Sequence, residues 1–330
     1  MNVIIAQNSL PAVAAITDHS SNPIGVYLTS INQIRVLIEK LKPNKVILAL
    51  DGPEAGERRR QIYPEYKRGS RVKARVSKVQ IMEGEDNIVY GVEGAYQNQL
   101  IKIYEMVKLL PVTLTIVPYA EGDDIIAHLV TVNSDKENII VSNDKDYLQM
   151  INENTFVYRW REKKLYGEKD IKETYNILAK NFIYRKVVLG DTSDFIPGIE
   201  GVGEKTFKVF EPLLLSKVFS NIEEFYSEVK NISLEGLGKR EKTAIETVMS
   251  QKDKLELAYK LMKLSSDSLL EEQKKILQLQ IEEQKEKKFS RFTTELKMQK
   301  NSFNKLYNGF SSSKWIEPFY LLKNNLDINS

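Results

Sequence analysis

Eight carboxylates carry the chemistry this chain could do, and their placement says which chemistry. Val46–Leu50 runs into Asp51, and Leu114–Val117 leads to Glu121, Asp123 and Asp124. Ile139–Ser142 leads to Asp144 and Asp146, and Val187–Leu189 to Asp191 and Asp194. Each acid stands at or just past the C-terminal end of an apolar run. In a parallel α/β sheet, ligands gather beyond the carboxyl ends of the strands. Carboxylates that meet there raise one another's pKa, and a divalent cation removes the conflict. Oxygen-only ligands favour Mg²⁺ or Mn²⁺, and metal-assisted phosphoryl chemistry is the class to expect. For Asp144 and Asp146 the plain alternative is a helix N-cap.

A second outlier follows directly on Asp51. Residues 57–78 carry Arg58, Arg59, Arg60, Lys67, Arg68, Arg71, Lys73, Arg75 and Lys78 against Glu57 and Glu65. Tyr63 and Tyr66 are interleaved. Basic side chains neutralise phosphates, and aromatic rings stack on unpaired bases. A solvated loop is the bland reading. The acids beside it favour a nucleic-acid track.

The elements that must position these groups alternate. Asn2–Ile5 reads as a strand, Gly25–Lys42 as a helix ending before Pro43, and Val46–Leu50 as a strand. A helix over Gln97–Leu110 precedes a strand over Val112–Val117. A helix over Asp123–Val132, entered through acids that suit its dipole, precedes a strand over Ile139–Ser142 and a helix from Lys145. This alternation predicts a mainly parallel sheet with helices on both faces. Thr155–Tyr166 reads as a hairpin turning at Glu162-Lys163-Lys164. Beyond about residue 175 the strand signal fades. Val187–Leu189 reads as helix, and Gly198, Gly201 and Gly203 punctuate short helical segments. Leu269–Lys300 reads as long amphipathic helix whose charge runs suit a solvated face.

Composition sets the bounds. The 330 residues are 42% hydrophobic and 28% charged, enough for one large domain or two modest ones. The 48 basic and 45 acidic residues nearly cancel to +3, so their segregation matters more than the sum. There is no cysteine, and only His19 and His128 are histidines. Disulfides, thiolate sites and histidine-based zinc are thereby disfavoured. No run reaches the roughly 18 apolar residues of a membrane span, and no leader is evident, so a cytoplasmic protein is expected.

Five motifs occur in order: Leu50-Asp51-Gly52; Tyr63–Lys67; Glu121–Asp124; Ser142–Asp146; and Gly190–Gly198, which continues through Gly201-Val202-Gly203-Glu204-Lys205-Thr206. Together, over roughly residues 1–265, they resemble the 5′-nuclease (flap endonuclease) family. That family includes bacteriophage 5′ nucleases and the 5′-nuclease domain of bacterial DNA polymerase I. The resemblance implies a PIN-like α/β nuclease domain over 1–175 with a basic helical arch at about 57–95. A helix-three-turn-helix DNA-binding domain over 176–268 and a helical extension over 269–330 would follow. It implies two-metal hydrolysis of DNA at single-strand/duplex junctions, acting on 5′ flaps, nicks or free 5′ ends and on RNA–DNA primer junctions. Asp51, Glu121 and Asp123 would serve the first metal. Asp144, Asp146 and Asp194 would serve the second, with Asp124 and Asp191 behind them or binding more loosely. Lys67 would contact the scissile phosphate, with Arg71 in support and Arg68 a weaker candidate. Gly198, Gly201, Gly203 and Lys205 would hold a duplex phosphate, with K⁺ on the loop carbonyls. A monomeric phage replication protein working beside other replication proteins fits this picture.

One position departs. The family's first strand ends in a metal-binding aspartate, and here Ala6 stands there, followed by Gln7, Asn8, Ser9 and Leu10. Ala6 has no ligand atom, so impaired cleavage is expected, whether the change is natural or an engineered knock-out. Two other readings remain open: a non-catalytic junction-binding protein of the same fold, and a PIN-type ribonuclease.

Overall fold

The computed structural model describes residues 1–7, 24–68, 92–286, 289–300 and 311–328. In chain order the strands and helices are β1 (Asn2–Ala6), α1 (Gly25–Leu41), β2 (Lys45–Leu50), α2 (Glu57–Ile62), α3 (Val92–Val107), β3 (Thr113–Ile116), α4 (Gly122–Val132) and β4 (Asn138–Val141). A 3₁₀ turn at Lys145–Met150 precedes β5 (Thr155–Arg159), β6 (Lys164–Tyr166), α5 (Glu168–Tyr175), α6 (Phe182–Leu189), β7 (Gly190–Asp191) and β8 (Ile196–Pro197). Helices close the chain: α7 (Glu204–Phe207), α8 (Glu211–Ser216), α9 (Ile222–Lys230), α10 (Lys239–Ser250), α11 (Lys252–Met262), α12 (Glu271–Glu286), α13 (Arg291–Lys300) and α14 (Ser312–Ile328).

Contacts divide the chain into two units. The first comprises Met1–Pro53, Val72–Ile126 and Leu269–Ser330; the second comprises Glu54–Arg71 and Ala127–Ser268. This grouping places β4–β6 with the helices that follow them.

In the first unit β2 lies between β1 and β3, all parallel, with Ala6 opposite Ala49 and Leu50 opposite Ile116. β1 is buried along its whole length, as a strand covered on both faces should be. α1 turns left-handed at Lys42 (φ 47°) before Pro43, which cannot continue a helix. Its start is held from α3, where Gln99 Oε1 accepts from the Val26 and Tyr27 N–H groups at 2.8 and 3.3 Å. The C-terminal extension is helical, and the stretch Leu269–Lys300 holds two described helices rather than one long one. Its first, α12, lies along β3. Gln280 accepts from the Ile116 N–H (3.1 Å) and donates to the Ile116 carbonyl (2.7 Å), as a neighbouring strand would.

In the second unit β4 and β5 are parallel, and β6 returns antiparallel, the expected hairpin. The expected helix from Lys145 is a 3₁₀ turn. Behind it, α6 packs on α11 around an aromatic core. Tyr184 stacks on Phe225 at 4.8 Å and meets Phe219 edge-on at 5.6 Å. The two-residue pair β7–β8 was not legible in the sequence. It is fastened by two glycines: Gly190 takes φ +78°, and a Cβ on Gly198 would lie 2.4 Å from the Leu189 carbonyl. No described helix is long and apolar enough to cross a membrane.

Candidate active site

The acids fall into two groups, one in each unit, each a candidate half-site. In the first unit Asp51 follows β2 directly. Its Oδ1 accepts from the N–H of Gly122, the first residue of α4, at 2.8 Å. Any Cβ at Gly122 would press on that oxygen and on the Ala49 carbonyl, both at 3.3 Å. Glycine is what lets the helix start approach the strand end. The same first turn carries Asp123 and Asp124, where the helix dipole favours negative charge. Glu121 and Asp124 are buried. Ala6, the last residue of β1, is buried in register with Ala49. Gln7 does something the sequence did not advertise: its Oε1 accepts from the Asp51 N–H at 2.8 Å, pinning the residue that leads the acids. Asn8, Ser9 and Leu10 lie outside the described residues.

In the second unit Asp144, Asp146, Asp191 and Asp194 come together around a lysine. Asp144 caps the 3₁₀ turn, accepting from the Asp146 N–H at 2.9 Å, so the N-cap reading holds for it. Asp191 Oδ1 accepts from the N–H groups of Ser193 (2.8 Å) and Asp194 (3.2 Å). Lys186, on α6, puts its ammonium between Asp146 and Asp191. It donates to Asp191 Oδ2 at 2.8 Å and pairs directly with Asp146 Oδ1. Lys186 is only 8% exposed. Burial opposes its charge, but the two carboxylates outweigh burial and hold the proton on. Burial pushes the Asp146 carboxyl well up, Lys186 pulls it down, and Asp144 adds to the rise. Burial also raises Asp194, with Lys67 opposing. Asp191 goes the other way: against burial, Lys186, Ser193 and the Asp194 N–H bring it down to about 2.

Lys67 reaches this half-site from the basic segment. Its N–H donates to the Asp194 carbonyl at 3.0 Å, and its Nζ lies 4.0 Å from Asp194 Oδ2. Lys67 itself is left-handed (φ 53°), a conformation that costs a non-glycine residue and that recurs at functional sites. Its neighbours are more committed than the sequence suggested. Arg58 donates to the Ser268 carbonyl (2.8 Å), Arg59 to the Leu261 carbonyl (3.0 Å), and Arg60 pairs with Glu57 (3.0 Å). Arg68 pairs with Glu65 at 2.6 Å. Tyr66 is buried, so it cannot offer a face for base stacking as expected; Lys67 and Arg59 lie over its ring instead. Arg71, Lys73, Arg75 and Lys78 lie outside the described residues, as does most of the arch.

The glycine loop divides in the same way. Gly198 serves packing. Gly201 (φ +80°) and Gly203 have nothing within 4 Å of a built Cβ and stand open to solvent beside exposed Lys205. Gly203 precedes α7, and its N–H donates to Thr206 Oγ1 at 3.1 Å.

Among the described residues no three His, Cys, Asp or Glu side chains stand close enough to hold a metal ion as placed. The carboxylates are engaged with Lys186, Lys67 and backbone N–H groups instead. The donor set still fits a hard divalent cation, being all oxygen. Asp146 is half-buried, and burial drives its carboxyl up while Lys186 opposes the rise.

Lys186 and Gln7 are the residues that sequence reasoning missed. Lys186 left one faint signal, a lysine next to Arg185 inside the otherwise apolar run Phe182–Leu189, five residues before Asp191.

Comparison with known proteins bears on the family and the fold. Residues 8–176, just over half of the chain, match the family model described as 5′-3′ exonuclease, N-terminal resolvase-like domain. The match begins two residues past Ala6. A 5′-3′ exonuclease of Aquifex aeolicus (strain VF5) is 31% identical over 256 residues, which is 76% of this chain and 76% of the relative. In fold the chain is similar to the T5 5′-exonuclease solved with bound divalent metal ions (zinc), with TM-score 0.64 at 18% identity over 86% of this chain and 98% of that one. It is also similar to a bacteriophage T5 flap endonuclease solved as a pseudo-enzyme-product complex with DNA and metal ions, with TM-score 0.59 at 16% identity over 97% and 100%. With acids at the strand ends, a PIN-like nuclease fold and these matches, the chain belongs to the 5′-3′ exonuclease family of nucleases.

Proposed function

We propose that this protein is a structure-selective 5′ nuclease that hydrolyses phosphodiesters at DNA single-strand/duplex junctions, in primer or flap removal during replication. The observation that carries the reading is the pair of half-sites, with Lys67 fixed to Asp194 beside the second. Asp51, Glu121 and Asp123 would hold one divalent ion and Asp144, Asp146 and Asp194 the other, with Asp124 and Asp191 behind them or binding more loosely. Such ions, when bound, supply an activated water and charge stabilisation for an in-line displacement. The chain's own residues do the rest. Lys67 offers an ammonium to the scissile phosphate, and Arg71 extends that contact. Gly201, Gly203 and Lys205, in a helix-three-turn-helix arrangement, would grip the duplex backbone, with K⁺ on the loop carbonyls.

Ala6 favours a second reading: a protein that binds junction DNA and cuts it poorly, because the first half-site is one carboxylate short. One gel assay separates the readings. A labelled 5′-flap DNA and a single-stranded RNA are incubated with the protein and with Ala6→Asp, in Mg²⁺ and in Mn²⁺. Flap cleavage at the junction, faster in Ala6→Asp, is expected. Binding without cleavage by both versions would favour the junction-binding protein, and preferential RNA cleavage a ribonuclease.

A further inference from the structure

Lys186 is a cation built into the second half-site, and nothing in the proposed reaction uses it. It rises from α6 between buried Val187 and the aromatic core residue Tyr184. A lysine so placed is expensive to bury unless paired. Here it is paired twice, to Asp146 and Asp191, whose side chains are 14% and 15% exposed. The half-site's four carboxylates, Asp144, Asp146, Asp191 and Asp194, face two ammonium groups, those of Lys186 and Lys67.

We propose that Lys186 is a resident counter-cation and positioning residue. It bridges Asp146 and Asp191 and holds them in place before a metal ion enters, and it sets the affinity of the half-site by competing for the same oxygens. This rests on the proposed assignment of these acids to a metal. Entry of a divalent ion then requires the Lys186–Asp146 pair to loosen, and the ammonium turns toward Asp191. Two consequences follow: metal binding is weaker than the acid count suggests, and the carboxylates keep their spacing without metal.

The test uses the full chain and Mn²⁺ alone as the probe, with bound ions counted by electron paramagnetic resonance and stability followed by thermal melting in EDTA. Lys186→Met removes a positive charge a few ångströms from the ion, which at the effective dielectric of such sites is worth at least about tenfold in affinity. Tighter Mn²⁺ binding is therefore expected, together with a lower melting temperature in EDTA that Mn²⁺ restores by more than it raises the wild type. Lys186→Arg keeps the charge and should keep wild-type affinity. A purely structural lysine would lower the melting temperature and leave Mn²⁺ affinity unchanged or weakened, and that result overturns the proposal. Asp146→Asn separates the two levels. Wild-type binding that Asp146→Asn abolishes but Lys186→Met leaves unchanged overturns the role of Lys186 alone. Absence of Mn²⁺ binding in every version overturns the metal assignment with it. If Lys186→Met does not fold, the wild type decides. Titrating Mg²⁺ should move the ¹⁵Nζ ammonium resonance of Lys186 in step with site occupancy, and a resonance that stays fixed overturns the proposal.

Discussion

A methyl group is all that Ala6 contributes at the end of β1. Register pairs it with Ala49, and strand alternation places positions 49 and 51 on one face, so a carboxylate at position 6 would join the side of Asp51. Ala6→Asp should therefore raise single-turnover cleavage of a labelled 5′ flap, on the order of 10²-fold, since a misplaced reacting group of about 1 Å costs that much. The gain belongs to the chemical step; DNA affinity should stay level or fall slightly. The position is buried, so a new carboxylate there is costly without a cation. The variant should melt lower than the wild type in EDTA and recover in Mn²⁺. Equal cleavage rates, both well above background, would mean that position 6 is not a broken ligand position. The eight acids stood out in the sequence because each lies at or just past the end of an apolar run, a pattern that local sequence alone displays. Lys186 and Gln7 were not readable. Their roles depend on which oxygens and N–H groups fold back onto them from more distant positions, as far away as Asp51 from Gln7 and Asp146 from Lys186.

Elements were legible wherever apolar periodicity was uninterrupted. β1, α1, β2, β3, α4 and β4 fall within a residue or two of the expected bounds, whereas α3 starts and ends earlier than its apolar face suggested. Two failures share a cause. Lys145–Met150 and the extension were read from local pattern, but tertiary partners decide both: Gln149 of the 3₁₀ turn donates to the Met262 carbonyl, and α12 is held to β3 by glutamines. Gln273, Gln280 and Gln284, spaced seven and four, share one helical face with buried Leu277. They reach the carbonyls of Pro118, Ile116 and Leu110. An unpaired strand edge is thereby closed, just before the loop to Glu121. Gln280→Leu strands the N–H and the carbonyl of Ile116, and should cost about 1–3 kcal/mol in urea unfolding, where a solvated helix would cost nothing. A second element-level prediction concerns α5. Asp170 accepts from the Gly167 N–H (2.9 Å) and pairs with Lys164 (2.8 Å). Burial opposes these contacts, but they keep its carboxyl below the usual range. A depressed carboxylate contributes stability above its unfolded pKa of about 4 and loses it as pH falls through the folded value. Urea midpoints of the wild type and Asp170→Asn should differ slightly at pH 7 and converge below about pH 4.

For the molecule as a whole, the order of five motifs and the separation of charge carried more information than the net charge of +3. The grouping of segments into units did not show, because it joins stretches as remote as Met1–Pro53 and Leu269–Ser330. No composition shift marks such a joint. The expected DNA surfaces also change weight once the contacts are known. Arg58 and Arg59 hold the carbonyls of Ser268 and Leu261, so their first duty is to their own fold. Lys67 and Lys205 remain the proposed phosphate contacts among the described cations, with Arg71 four positions after the first in sequence. Binding to a flapped duplex should accordingly weaken steeply with salt, each phosphate contact adding about −0.9 to the slope of log affinity against log salt. Lys205→Ala should make that slope shallower by about one contact on duplex DNA. Lys67→Ala and Arg71→Ala should do the same for a substrate with a single-stranded 5′ arm, and less for blunt duplex. Arg59→Ala should leave the slope nearly unchanged and lower the melting temperature, because its loss frees the Leu261 carbonyl rather than a phosphate. Fluorescence anisotropy with flapped and blunt DNA across a salt series measures all four. If Arg59→Ala flattens the slope as much as Lys205→Ala, the arginines of α2 face DNA after all, and their carbonyl contacts give way when it binds.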